Sequence, residues 1–593
     1  MTAIRYRIQP AKPEAHLFQV SCEVGAPDPA GQRFRLPAWI PGSYMIREFA
    51  RHIVTIRAET NGRPVPLEKL DKHTWRAPAL AGHQPLTVHY EVYAWDLSVR
   101  AAHLDTTHGF FNGPSVFLAV VGQESLPCLV DIQPPAGKAY RNWKVATALA
   151  EARGEAGAAK RHGFGLYQAG DYDELIDHPV EMGAFTLARF EAGGVPHEVV
   201  LTGRHDCDLT RLTTDLRKIC QWQIDLFGGS PPMERYLFLV MVVGEGYGGL
   251  EHRASTALLA NRNDLPHPAM EGLPEGYKSF LGLCSHEYFH TWNVKRIKPA
   301  AFVPYDLAQE SYTRLLWAFE GFTSYYDDLT LVRSGVIAPA DYLELLGKTL
   351  SNVERGSGRL KQSVAESSFD AWIKYYRQDE NAPNAIVSYY AKGALVALAL
   401  DLQLRLNSRG KTSLDDFMVQ LWRRHGQTGQ GVAEDGLFRL AEELGSRELG
   451  RWLRQTVTGT QDIPLERWFR QLGVTPSRDG EAKGPWLGIK LAPGNGEAKL
   501  AQVLDDGPAQ AAGLAAGDTL VAMDGLRVTS ANLDPRLARQ KPGDTLTVHA
   551  FRRDELMEFR LALAPQPKTR VILKLAPKPS PVARKLRRAW LGA

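Results

Sequence analysis

Residues 284–290 read Cys-Ser-His-Glu-Tyr-Phe-His. Histidines four apart share one face of an α-helix, so both imidazoles can turn toward a single ion. Glu287 follows His286 directly, where its carboxylate can take a proton from water held by that ion. Two neutral imidazoles and a carboxylate around an open position suit zinc-assisted hydrolysis, because zinc brings the pKa of a coordinated water to about 7. A third protein ligand is required. Glu320 interrupts the apolar run Leu315-Leu316-Trp317-Ala318-Phe319-Glu320-Gly321-Phe322, where a carboxylate is costly unless a cation or metal pairs with it. Glu310, in Ala-Gln-Glu-Ser-Tyr-Thr, is the alternative. It falls at the polar start of the same expected helix, where the helix dipole accounts for it. Type and spacing therefore predict one zinc ion per chain on His286, His290 and one of these two carboxylates, Glu320 ahead of Glu310, with Glu287 as general base.

Two further segments fit a hydrolytic site. Gly244-Glu245-Gly246-Tyr247-Gly248-Gly249-Leu250-Glu251-His252 is a glycine-rich loop or edge strand just upstream. Bare backbone at Gly248 and Gly249 can pair with an extended peptide, and Glu251 can meet a free α-ammonium. A flexible turn with a solvated glutamate is the plainer alternative. Ser388-Tyr389-Tyr390-Ala391-Lys392-Gly393 opens a helix, and a phenol there can donate to a developing oxyanion. Taken alone, a tyrosine at a helix start is ordinary packing.

The elements that must position these residues come in blocks. With 593 residues the chain exceeds one hydrophobic core, and several domains are expected. From residue 4 to about 170, alternating runs such as HLFQVSCEV, HIVTIRAET, PLTVHYEVYAW and SVFLAVV are expected strands between Asn, Gly and Pro turns. They suggest a β-sandwich or saddle over residues 1–175. A catalytic α+β domain is expected over 176–389, with a helix near 212–228, a buried strand RYLFLVMVVG, and long helices over 277–298 and 311–334. Residues 390–476 are helical in spacing throughout, with Ser413 and Asp416 resembling a capping box. The polar stretch 478–484 is an expected linker. A compact β-rich unit fills 484–566, and 567–593 is an expected basic, solvated and partly disordered tail.

Composition narrows the function classes. Hydrophobic content of 44% and charged content of 23% are globular values. A net charge of +4 gives no reason to expect nucleic acid as a partner. Five scattered cysteines without a CxxC pair suit a reducing compartment. The N-terminus shows no apolar signal region, and no apolar stretch approaches the ~20 residues of a membrane span. A cytoplasmic protein is expected.

HEYFHTWNVKRIKP, LLWAFEGFTSYYDDL, GGLEHRAS and YYAKGAL together resemble the M61 glycyl aminopeptidase family, within the wider gluzincin aminopeptidases. LPAWIPGSYMIREFARHI and DLSVRAAHLDTTHGFFNGPSVF are similar to that family's N-terminal domain. The resemblance covers the chain to about residue 474 and implies a thermolysin-like zinc catalytic domain. By position it implies His286, His290 and Glu320 as zinc ligands and Glu287 as general base. GGLEH resembles the exopeptidase motif that anchors the substrate amine, implying that role for Glu251. Tyr390-Ala391-Lys392-Gly393 is similar to the YEKG segment of the wider gluzincins, implying Tyr390 as oxyanion donor. Ala391 replaces the usual glutamate, which leaves Tyr389 open for that role. The His290–Glu320 interval is longer than usual, which keeps Glu310 in play. The resemblance implies an aminopeptidase acting on peptides with a free N-terminus and small first residues, Gly and Ala.

GPWLGIKLA, DDGPAQAAGLAAGDTLVAMDGLRV and GDTLTVHAFRRDE resemble a PDZ domain, in which Trp486-Leu487-Gly488-Ile489 would offer N–H groups to a peptide C-terminus. A thermolysin-like endopeptidase, and a PDZ peptide-binding protein with a vestigial zinc site, are the rival readings.

Overall fold

The computed structural model describes residues 3–80, 84–478, 484–494 and 496–592. Most of the expected linker, 479–483, lies outside the described residues. The protein is a multidomain α+β chain that divides into two compact units. The first is Met1–Tyr312 with Arg333–Val336 and Met418–Val432; the second is Thr313–Val332 with Ile337–Phe417 and Ala433–Ala593.

The first unit opens on an eight-stranded sheet. Its main strands are β1 (Ile4–Lys12), β2 (Leu17–Val24), β3 (Ile53–Thr60), β4 (Leu86–Tyr93), β5 (Cys128–Ile132) and β6 (Gly165–Ala169). They lie in the order β6-β5-β1-β2-β4-β3, with the short strands Ala150–Glu151 and Arg63–Val65 at the two ends. Ile4, Tyr6 and Ile8 alternate inward from β1, as a half-buried strand requires. Two four-stranded sheets complete this β-rich domain.

The expected strand SVFLAVV is different. Residues 113–115 form a 3-10 turn and only Ala119–Val120 is strand. Buried carbonyls still need donors, and three tyrosines supply them. Tyr90 Oη donates to Val116 O (2.7 Å), Tyr172 Oη to Phe117 O (2.7 Å) and Tyr6 Oη to Leu118 O (2.8 Å). Satisfied by side chains, this apolar segment plugs the core without a ladder.

That core continues into a second sheet through Val200, Leu237, Leu239, Leu250 and Ala257. Its strands are β7 (Thr186–Ala192), β8 (Val195–Thr202), β9 (Tyr236–Val243), β10 (Tyr247–Glu251) and β11 (Ser255–Asn261), ordered β7-β8-β9-β11-β10. β9 pairs in parallel with both β8 and β11, so its apolar run is buried on both faces. β10 closes the sheet as an antiparallel edge. Helix α1 (Leu209–Leu226) is capped by Asp208, whose carboxylate accepts from Arg211 N (3.0 Å). Helix α2 (Glu275–Phe289) is buried almost all round, and Gln223 donates to Ser285 O and Oγ (both 3.0 Å).

The expected helix 277–298 ends nine residues early, at Phe289. Three backbone carbonyls explain the turn, because Arg296 takes them. Its guanidinium donates to Thr291 O (2.8 Å), Arg253 O (3.0 Å) and Pro232 O (2.7 Å). Burial lowers the Arg296 pKa to about 10.

In the second unit the expected helix 311–334 is also shorter. Residues 311–315 are not helical, because Thr313 Oγ1 (2.7 Å) and Arg314 N (3.2 Å) donate to Glu434 instead. Helix α3 (Leu316–Phe319) stops at Glu320, and α4 (Gly321–Arg333) follows. Helix α5 (Ala391–Asn407) crosses them at van der Waals distance. A Cβ on Gly321 would lie 2.6 Å from Gly393 Cα, and one on Gly393 would lie 2.5 Å from Trp317 O. Only glycine fits at both places. The next helix, Leu414–Leu421, is capped close to expectation: Ser413 N donates to Asp416 (2.9 Å), while Ser413 Oγ accepts from Asp415 N (3.2 Å) in place of Asp416 N.

The C-terminal sheet runs Ile489–Leu491, Ala498–Val503, Thr519–Met523, Thr545–Arg552, Glu555–Ala562. Asp518 of the Gly-Asp pair is buried, accepting from Ala515 N and twice from Arg552 (each 2.8 Å). Its carboxyl is held below the usual range: burial opposes this, and the Arg552 and Ala515 hydrogen bonds outweigh it. The expected solvated tail is a helix instead, Pro581–Leu591, capped by Ser580. Trp590 is fully buried and donates to Tyr325 Oη (3.0 Å), so the tail spends its apolar residues on packing. No helix among the described residues is long and apolar enough to cross a membrane.

Candidate metal centre

The last turn of α2 fixes the two histidines. His290 is its C-cap, one residue past Phe289, and His290 Nδ1 lies 2.6 Å from Asn293 O. A carbonyl only accepts, so the proton sits on Nδ1 and the lone pair on Nε2. His290 Nε2 stands 3.1 Å from His286 Nε2, with the rings nearly perpendicular at 83°. Two ring nitrogens this close repel unless a proton or a cation is shared between them. The tautomer-fixing carbonyl, the converging nitrogens and the turned rings fit the donor set of a divalent transition metal.

Two carboxylates gather beside them. One ligand atom from each of Glu251, Glu287 and His290 lies within 4.8 Å of the other two. Glu251 and Glu287 are 4% and 5% exposed, so their charges are nearly desolvated. Neighbouring buried carboxylates need a cation between them. Glu251 Oε1 has no hydrogen-bond partner among the described residues. A substrate ammonium or a metal meets that need.

Glycines on both sides make room for the acids. A side chain on Gly249 would overlap the Glu287 carboxylate. Gly42, in a left-handed conformation (φ +93°), brings the N-terminal domain so close that its Cβ would lie 2.5 Å from Glu251 Oε2. Arg100, from the same domain, donates from Nη2 to Gly249 O (3.3 Å). Neither Gly42 nor Arg100 carries a residue-level signal in the sequence, although both lie in segments that resemble the family's N-terminal domain.

Behind Glu251 is a charge cluster that the sequence did not announce. Asp177 accepts from Lys295 Nζ (2.7 Å), Arg253 Nε (3.0 Å) and His252 Nδ1 (3.1 Å). Burial would raise the Asp177 pKa, but Lys295, His252 and Arg253 hold it well below the usual carboxylate range. The cluster ties β10's exit to the segment after α2 and so fixes Glu251 against Glu287.

In the second unit, Glu320 is 1% exposed at the break between α3 and α4. Four tyrosines cluster on the approach to α5. Tyr390 Oη lies 3.0 Å from Tyr376 Oη, and Tyr375 Oη 3.1 Å from Ser388 Oγ. Tyr389 is fully buried, its ring 4.7 Å from that of Tyr390. Burial, with the charges of Tyr376 and Glu320 behind it, pushes the Tyr389 phenol well above its ordinary pKa. Tyr390 is half-buried and within reach of solvent. Glu310 is half-buried in the non-helical stretch before α3, so the helix-dipole account given for it does not apply.

Residues 5–184 match the Peptidase M61 N-terminal domain, 279–396 the M61 glycyl aminopeptidase, and 485–563 the PDZ domain. An aminopeptidase N family protein from Idiomarina loihiensis is 43% identical, with a TM-score of 0.93 over 99% of this chain and 100% of its own. The chain belongs to the M61 glycyl aminopeptidase family. The M61 catalytic match spans His286, Glu287, His290, Glu320 and Tyr390; Glu251 and the two glycines of β10 lie outside it. An M1 zinc metallopeptidase from Deinococcus radiodurans is 14% identical, with a TM-score of 0.49 over 78% of this chain and 95% of its own. No curated protein matches the chain.

Proposed function

We propose that this M61 protein is a zinc aminopeptidase that releases small N-terminal residues, Gly and Ala, from peptides. The observation that carries this reading is the convergence of His286 Nε2 and His290 Nε2 beside the buried pair Glu287 and Glu251. One zinc ion per chain would be held by His286, His290 and Glu320. When bound, it supplies a Lewis acid that polarises the scissile carbonyl and acidifies water near neutral pH.

The remaining work falls to the protein. Glu287 accepts the proton of the attacking water and passes it to the leaving amine. Tyr390 donates its phenol proton as a hydrogen bond to the developing oxyanion, and its half-exposed position supports it over the sealed Tyr389. Glu251 holds the α-ammonium, which sets the cut one residue from the N-terminus. Gly249 offers outward-facing backbone groups to the substrate, and Gly248 beside it leaves room by lacking a side chain. The glycyl activity named for the family supports Gly, and Ala has the next smallest side chain. In the PDZ domain, the loop Trp486–Ile489 would offer its backbone N–H groups to a peptide C-terminus.

Glu251 Oε1, buried and without a hydrogen-bond partner among the described residues, favours an exopeptidase over a thermolysin-like endopeptidase, because a substrate α-ammonium would meet it and an internal peptide carries none. The test compares Gly-p-nitroanilide with its N-acetyl form. The free amine should be cleaved at least tenfold faster, and Glu251→Gln should erase most of that difference. Equal cleavage of the acetylated substrate by wild type would make the enzyme an endopeptidase.

A further inference from the structure

Strand β10 is the open edge of its sheet. His252 N donates to Ser255 O (2.9 Å), which marks that pair as hydrogen-bonded. Bonded and non-bonded pairs alternate along an antiparallel ladder. Gly249, opposite Leu258, therefore turns its N–H and C=O outward, along the lane an added peptide strand would occupy.

Arg100 already stands in that lane. Its Nη2 donates to Gly249 O (3.3 Å), and a Cβ on Gly248 would lie 3.7 Å from Nη1. The Gly249 side faces Glu287 and the Gly248 side faces Arg100, so the guanidinium comes over the opposite face and reaches the edge. No carboxylate among the described residues is within ion-pair distance of it. Its buried Nε has no hydrogen-bond partner among them either. Other half-buried arginines nearby are matched: Arg235 by Glu151, Arg253 by Asp177 and Asp173. A guanidinium offers five donors in a fork suited to a carboxylate, and most of Arg100's are unspent.

We propose that Arg100 is a specificity-determining residue that binds the α-carboxylate of very short peptides, dipeptides first. This rests on the aminopeptidase reading. With the substrate ammonium at Glu251 and the peptide antiparallel to β10, two extended residues span about 7 Å. That is the distance from Glu251 back to Gly249, where Arg100 waits. A dipeptide presents its carboxylate there, whereas a longer peptide presents only a neutral carbonyl.

The experiment uses Gly-Ala and Gly-Ala-amide, with N-acetyl-Gly-Ala as control. Steady-state kinetics are measured on zinc-loaded wild type, Arg100→Gln and Arg100→Lys. Calorimetric binding of the acid and the amide is measured on Glu287→Gln and on Glu287→Gln/Arg100→Gln. Wild type should favour the acid roughly tenfold or more in kcat/KM, and Glu287→Gln should show the same preference in Kd. Arg100→Gln should bring both ratios close to one, while Arg100→Lys keeps part of the preference. Equal handling of acid and amide, or a preference that survives Arg100→Gln, overturns the role of Arg100 and leaves the aminopeptidase reading intact. Rapid cleavage of the acetylated control overturns the aminopeptidase reading instead, and the binding ratios still decide the fate of Arg100.

Discussion

Gly249 and Glu287 occupy one space: the carboxylate of the general base lies where a side chain on residue 249 would begin. The base is therefore positioned by an absence on β10 as much as by helix α2. Gly249→Ala should push the Glu287 carboxylate aside without touching His286 or His290. We expect kcat/KM to fall about 100-fold, within the range general bases contribute, while bound zinc per chain stays at the wild-type value. Activity within threefold of wild type would mean that the carboxylate has slack the packing does not suggest.

The 3.1 Å approach of the two Nε2 atoms gives a metal prediction with a stability readout. An ion that binds only the folded chain stabilises it by about 2.7 kcal/mol at a hundredfold excess over Kd. Adding zinc should raise the melting temperature of wild type, and a chelator should reverse the shift. His290→Ala should bind less than a tenth of the wild-type metal and melt at one temperature with or without zinc. A zinc-dependent shift that persists in His290→Ala would place the ion elsewhere.

What the sequence made legible were features with a period or a penalty. His286 and His290 follow the helical repeat, and Glu320 breaks an apolar run and is buried as that break requires. Gly42 and Arg100 follow no such rule. They act on β10 from 209 and 149 residues upstream, and only the folded sheet edge gives them meaning. The helix ends were misplaced for a similar reason: Arg296 and Glu434 capture backbone groups from a distance, and local propensity contains no trace of it. Trp590 was hidden by its basic neighbours. Its partner Tyr325 is 265 residues away, so a helix that buries four of its eleven residues looked like a charged tail.

The tyrosine pair separates by exposure. Tyr389 is sealed in the cluster, whereas Tyr390 is half-exposed with its hydroxyl 3.0 Å from Tyr376 Oη. Removing an oxyanion donor costs about 100- to 1000-fold in kcat. Tyr390→Phe should lose that much in kcat with KM changed less than threefold. Tyr389→Phe should keep most of the turnover. The reverse ranking, measured on one chromogenic substrate at saturating concentration, would move the oxyanion role to Tyr389.

Acid stability should report on Glu198. Burial would raise its pKa, but His162, Arg161 and Arg189 hold it down to about 2. Arg161 and Arg189 both pair with it, the latter at 3.1 Å. A carboxyl whose folded pKa is depressed stabilises the fold above its unfolded value, near 4.3, and that contribution is lost as pH falls through the folded value. Glu198→Gln should therefore be less stable than wild type at pH 6, by about 1 kcal/mol once partial solvation of the cluster is allowed for. The gap should begin to close below about pH 4.5 and narrow steadily toward pH 3. Urea midpoints of the metal-free proteins across that range measure it directly. A gap that is constant from pH 6 to pH 3 would show that the glutamine disturbs packing and that the charge on Glu198 adds nothing.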